Sequence, residues 1–191
     1  ENTDWDNYKL TLHARSSEGG VDGQIWVSFR FGDEWNRYAL AIRGGQINEL
    51  ILFRYNEGDF PNPDMMCLKS RPLDFKFEPG KWYDIRIVCI GEMICVWVGD
   101  SKAPQIEVAD TKIKNGGIAL GGGYLKCQYR NVKVEKIDKV DDFRRQLHLE
   151  SKAAKTERLK NEQAHRKKVR IEQRSKYKPV IIKDKNVARN E

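Results

Sequence analysis

The chain has 191 residues, of which 39% are hydrophobic and 33% charged, with a formal net charge of +7 and a mean hydropathy of −0.72. That is enough for one well-buried domain plus an appendage, and no apolar run approaches the roughly 20 residues that span a bilayer. The basicity is local: residues 1–138 carry 18 Lys+Arg against 20 Asp+Glu, whereas residues 139–191 carry 17 against 8, so a nucleic-acid reading of the high pI applies to the tail and not to the body.

The chain opens with Glu1-Asn2-Thr3-Asp4, which lacks the basic and apolar regions of a signal peptide and an initiator Met. It reads as a mature or excised fragment, and an extracellular or periplasmic setting is expected. Short β-rich runs then follow one another at 8–15, 24–31, 38–43, 50–55, 65–70, 82–90, 94–98, 105–108, 117–120 and 125–136. Between them stand Gly19-Gly20, Gly32-Asp33, Gly44-Gly45, Pro61-Asn62-Pro63, Pro79-Gly80 and Asn115-Gly116, residues that supply a positive or fixed φ at turns. Such runs, punctuated every 8–12 residues or so, predict an all-β antiparallel sandwich over residues 1–138.

Alternation sorts the side chains of each strand. In 24–31, Ile25, Val27, Phe29 and Phe31 form the apolar set and Gln24, Trp26, Ser28 and Arg30 the opposite one. Tyr38, Leu40 and Ile42 likewise oppose Ala39, Ala41 and Arg43, and Ile94, Val96 and Val98 oppose Cys95 and Trp97. Successive strand residues face opposite sides, so Trp26, Arg30, Arg43 and Trp97 are expected together on a sheet surface outside the core. The stretch 82–100 reads as one hairpin, with Gly91 first in a two-residue loop that suits a type II′ turn. Cys67, Cys89, Cys95 and Cys127 form no CxxC pair and stand at no metal spacing to His13, His148 or His165. Small buried thiols are expected, with a Cys89–Cys95 cross-strand disulfide as the alternative.

After Asp138 the composition changes. Residues 139–176 contain neither Pro nor Gly and are rich in helix formers, which predicts a basic helical connector over 139–178, closed by Pro179 and followed by an extended tail over 179–191. Val140, Phe143, Leu147 and Ala154 keep helical spacing, so the first turns are expected to dock on a neighbouring surface. Arg166, Lys167, Lys168, Arg170, Arg174, Lys176 and Lys178 would attract polyanions, but only Tyr177 is there to stack on a base, and a solvated helix face is the preferred reading over nucleic acid.

The order of motifs resembles the concanavalin-A-like lectin/glucanase superfamily. Trp5-x-x-Tyr8-x-Leu10, then 24–30, Arg37-Tyr38-Ala39-Leu40, 80–87, 94–100, Gly116-Gly117-Ile118-Ala119-Leu120 and 129–134 carry the resemblance. Laminin-G-like modules, the 3-keto-disaccharide hydrolase domain and the fructan-binding modules of β-fructosidases are the branches most alike. The resemblance implies a jelly-roll sandwich that binds or processes sugars on a sheet and its rim loops. It implies flat apolar faces at Trp26 and Trp97 for sugar C–H groups, and forked donors to hydroxyls at Arg30, Arg43, Arg54 and Arg86. Rim contacts are implied at Asp33, Glu34 and Trp35, with Glu57 and Asp59 in a second loop, where acids accept from hydroxyls or hold a structural Ca²⁺. Packing under a neighbouring element, solvation and ordinary turn chemistry are the plain alternatives for these three groups.

No strand pairs carboxylates as glycan hydrolysis requires; Asp84 and Glu107 are the only acids well inside predicted strands, and both are expected to face solvent. No G-x-S-x-G, H-E-x-x-H or phosphate loop occurs. The expected function is that of a non-catalytic carbohydrate-binding module with a glycan as ligand, part of a larger glycoside hydrolase or cell-surface glycan-processing protein. A neighbouring domain or subunit would contact residues 139–191. An assembly module and a glycan hydrolase in its own right are the alternatives.

Overall fold

The apolar side of each strand must be buried against another layer, and here two sheets bury theirs against each other. The computed structural model describes residues 5–16, 24–57, 66–123 and 126–176; the turns expected at Gly19-Gly20 and Pro61-Asn62-Pro63, the loop residue Asp59 and the tail expected over 179–191 lie outside these. In chain order the strands are β1 (Tyr8–Ser16), β2 (Gln24–Asp33), β3 (Asn36–Arg43), β4 (Glu49–Tyr55), β5 (Met66–Pro72), β6 (Tyr83–Ile90), β7 (Met93–Val98), β8 (Ile106–Ala109), β9 (Gly117–Gly123) and β10 (Cys127–Lys136), followed by the helix α1 (Val140–Lys176). They form two antiparallel five-stranded sheets in the orders β10-β1-β6-β7-β8 and β5-β4-β3-β2-β9. The expected sandwich followed by a helix is the architecture of the chain.

The inward sets read from alternation fill the space between the sheets: Leu10 and Leu12, Ile25, Val27 and Phe29, Leu40 and Ile42, Ile87, Ile94 and Val96 are all buried in one cluster. Each such side chain contributes about 1.5–3 kcal/mol by leaving water. β6 and β7 pair from Ile90↔Met93 outward, and Gly91 alone in the two-residue loop has a positive φ, +56°, as a type II′ turn requires. In that register Cys89 opposes Ile94 while Cys95 opposes Val88. The two thiols therefore face opposite sides of the sheet, and all four cysteines are free. Burial raises Cys89 to about 11 and Cys95 to about 12, which keeps both as thiols at neutral pH.

Two bulges break the alternation. β2 pairs Phe29 with Ile118 and Phe31 with Gly117, leaving Arg30 as the extra residue, in the left-handed region at φ 44°. Opposite it, Gly116 has φ 138°, and an added Cβ would lie 2.6 Å from the Arg30 carbonyl carbon. Between Thr11↔Lys133 and His13↔Arg130, β10 advances one residue more than β1, and Asn131 takes the positive φ, 53°.

The first turns of α1 carry Asp141 and Asp142, favourable at a helix N-terminus. Val140, Phe143 and Leu147 pack with Ile137 onto Val88, Ile90, Cys95 and Trp97, the outward apolar residues of β6 and β7. One compact unit comprises residues 1–151 and a second residues 152–191. No helix is long and apolar enough to cross a membrane among the described residues.

Candidate functional site

The residues expected on one sugar-binding surface divide among three places. Trp26 and Arg43 lie on the outer face of the β5-β4-β3-β2-β9 sheet, in the register Trp26↔Ala41 and Gln24↔Arg43. Trp97 lies on the outer face of the other sheet, opposite Arg86. For Trp26, Arg43 and Trp97 the alternation is as read, but alternation alone does not tell which sheet a strand joins, and β2 and β7 join different ones.

Arg30 is not on a surface at all. The bulge turns it inward, where it is 1% exposed and spans three backbone carbonyls: Nη1 donates to Ile113 at 2.9 Å, and Nη2 to Asp6 at 3.0 Å and to Gly91 at 2.6 Å. Arg54 also faces inward, because it follows Leu50 and Leu52 in the core-facing set of β4; it is buried and ion-paired with Asp110. Asp33 closes its own turn, accepting from the Trp35 amide at 2.7 Å and the Asn36 side chain at 3.1 Å. The Asn36 amide first, then the Trp35 backbone, hold its carboxyl below the usual range. Glu34 and Trp35 are exposed at that turn, Trp35 by 48%. Turn chemistry accounts for Asp33.

The outer face around Trp26 is closed by its own side chains. Trp26 and Phe53 stack across β3 with centroids 5.8 Å apart, over Ala39 and Ala41, which are fully buried. Arg43 is paired with Glu49 at 3.1 Å, and Glu49 accepts from Ser70 at 2.8 Å.

The helix-capped sheet is different. Past the apolar patch that α1 covers, a groove of about 510 Å³ is lined by residues of β1, β6, β7 and β10 and by the loop Gly99-Asp100-Ser101. At its helix end the Arg86 guanidinium lies 4.0 Å over the Trp97 ring. Trp97 is 3% exposed, so it supports Arg86 rather than presenting a flat face to a ligand, and its Nε1–H finds no acceptor among the described residues. In the middle, His13 Nε2 donates to Asp84 Oδ1 at 3.0 Å, and the Asn131 amide nitrogen lies 3.2 Å from Nδ1. Both ring nitrogens are thereby engaged, and the bulge at Asn131 is what brings its side chain to the ring. Beyond the groove, Arg15 and Arg130 both lie over Trp82, at 4.7 Å and 4.1 Å. Of the nine residues expected to bind, only Arg86 and Trp97 share this site. His13, Asn131, Lys133 and Trp82 were not among them; the outward set Lys9, Thr11, His13 and Arg15 was readable from alternation in β1, but the β1–β6–β10 register that unites them was not.

A five-on-five sandwich with a polar and aromatic groove across one sheet defines a lectin-like domain of the concanavalin-A type. The chain belongs to the 3-keto-alpha-glucoside-1,2-lyase-like domain family, whose model matches residues 1–135. Among solved structures it is similar to the carbohydrate-binding module CBM66 from Bacillus subtilis, at 14% identity over 71% of this chain and 78% of that one, with a TM-score of 0.59. Ligand-free congerin I is similar at 16% identity over 71% and 96% of the two chains, with a TM-score of 0.52. The fructosyltransferase from A. japonicus is similar at 17% identity over 70% of this chain and 23% of that one, also with a TM-score of 0.52. At these identities the likeness concerns the fold. No protein of curated function matches the chain in sequence.

Proposed function

We propose that this chain is a non-catalytic carbohydrate-binding module that holds a glycan in the groove between Trp97 and Trp82, as one part of a larger carbohydrate-active protein outside the cytoplasm. The observation that carries the reading is the groove itself, an open trough lined by the polar groups of Thr11, His13, Asp84, Arg86, Asn131 and Ser101, among which His13 is held by Asp84 and Asn131 and Arg86 by the Trp97 ring. Sugars are recognised by such an array of held donors and acceptors, since little side-chain entropy is lost on binding. A neighbour in fold is itself named a carbohydrate-binding module, which supports the same reading. With both nitrogens of His13 engaged, the imidazole acts as a fixed hydrogen-bonding element and not as a free base.

The test is a glycan-array screen on the full chain, followed by calorimetry on the hits and an assay for glycan cleavage. The expected result is glycan binding that drops at least about tenfold, or 1.4 kcal/mol, in both Arg86→Ala and Asp84→Ala, with the glycan unaltered. A silent array, or binding that ignores both substitutions, contradicts it. Turnover of the glycan would instead support the chemistry suggested by the family's name.

A further inference from the structure

The groove and its continuation carry three arginines that no carboxylate answers among the described residues. Arg86 lies on Trp97, and Arg15 and Arg130 lie on Trp82; among the described residues none of the three has an acid within ion-pair distance, and Arg15 Nε is satisfied by the neutral Gln128 amide at 2.7 Å. Two other strand arginines are paired with acids, Arg43 with Glu49 and Arg54 with Asp110, whereas these three lie over indoles. A guanidinium over a ring still carries N–H donors able to grip a carboxylate or sulfate. Lys133 adds a fourth cation, although Glu135 is shared between it and Lys9. The acids lining the groove are Asp84 and Asp100, and Asp84 is already engaged by His13.

We propose that the ligand of this groove is an acidic glycan, one bearing carboxylate or sulfate groups along its length; the proposal rests on the glycan-binding reading above. Arg86 is opposite Thr11, and Arg15 is four residues further along β1, about 13 Å at the rise of a strand. Anionic groups held at both ends therefore belong to an oligosaccharide and not to a single sugar. Bases of a nucleic acid would need bare aromatic faces to stack on, and here both indoles lie under guanidinium groups.

The experiment titrates the full chain with trigalacturonate and with its neutral methyl ester, and with a sulfated carrageenan oligosaccharide and the same oligosaccharide after desulfation. At least one acidic ligand is expected to bind about tenfold or more tighter than its neutral partner, with affinity falling as NaCl is raised. The acid-to-neutral ratio should collapse in an Arg15→Gln/Arg130→Gln double variant and persist in Arg15→Lys/Arg130→Lys, which controls for folding. The carboxylate and sulfate arms tell which group is read. Equal binding of acidic and neutral partners, still lost in Arg86→Ala, overturns the acidic ligand and leaves the glycan site standing. Binding of a neutral glycan alone does the same. Silence toward all glycans removes both readings, and tighter binding of a single-stranded DNA oligomer than of any acidic glycan overturns this one.

Discussion

Arg30 is the largest fully buried side chain among the described residues, and its charge meets backbone carbonyls rather than an acid. Those carbonyls belong to Asp6 before β1, Gly91 in the β6–β7 turn and Ile113 after β8, so one side chain ties three separate loops to the bulge in β2. The Arg30 amide completes the knot by donating to the Tyr8 hydroxyl at 3.0 Å. Arg30→Met would leave the buried Ile113 carbonyl unpaired, at about 1–3 kcal/mol, and would remove the donor from the part-buried Asp6 and Gly91 carbonyls. We expect a loss of about 1–3 kcal/mol in urea unfolding; no measurable loss would mean the guanidinium does not hold these loops. Gly116→Ala should also destabilise, because both its φ and its contact with the Arg30 backbone exclude a Cβ. Arg30 was expected to point outward with Trp26 and Ser28, and nothing in the local residue pattern marks the bulge that reverses it. Asn115-Gly116 opposite was visible as a turn signal, but its partner strand was not.

At the scale of elements, the join between α1 and the sheet decides which outer face stays open. The docking turns were legible, because Val140, Phe143 and Leu147 repeat at helical spacing in a segment otherwise dominated by charge. Their target was not legible: it required knowing that Val88, Ile90, Cys95 and Trp97 fall on one side of paired β6 and β7. Trp97 is the consequence, a residue whose position in an exposed-looking alternation is outweighed by a helix arriving from forty residues later in the chain. A Phe143→Ala/Leu147→Ala variant uncovers this patch. Deletion of large side chains at a packed interface typically costs about 2–5 kcal/mol, and these partly covered sites should lie at the low end, near 2 kcal/mol, by thermal or urea unfolding. The variant should also bind a hydrophobic dye that the parent chain excludes; unchanged stability and no dye binding would argue that the helix does not cap the sheet.

At the scale of the whole molecule, the sheets are tied by packing and, besides Arg30, by a polar cluster at Asp110. Asp110, after β8, pairs with Arg54 of β4 and accepts from the Tyr38 hydroxyl of β3 at 2.6 Å. Burial by itself pushes the Asp110 carboxyl up, but the hydrogen bonds from Tyr38, the Lys112 amide and Arg54, with the Arg54 charge, outweigh it and hold the carboxyl below its usual range. A carboxylate whose folded pKa is depressed adds stability that is complete above its unfolded pKa, near 3.9, and is lost as pH falls through the folded value. The urea midpoint is therefore expected to be flat from neutral pH to about 5 and to fall steeply below about 4. Asp110→Asn should lower the neutral plateau and flatten part of that acid slope. An acid slope identical in Asp110→Asn and the parent would show that Asp110 does not carry it. The sandwich was legible because ten alternating runs separated by turn residues have few other ways to bury their apolar sides. The site was only half legible, since a binding surface is a matter of which strands are neighbours, and neighbours here come from opposite ends of the chain, as β1 and β10 do.

The central claim is that ligand is held on the helix-capped sheet and not on the Trp26 face. The most direct measurement follows the indole N–H resonances of the five tryptophans while the chain is titrated with trigalacturonate and with a neutral galacto-oligosaccharide. The account predicts saturable shifts at Trp82 and Trp97 with the binding ligand, while Trp26 and Trp35 stay in place. Shifts centred on Trp26 would put the ligand on the opposite sheet and contradict it.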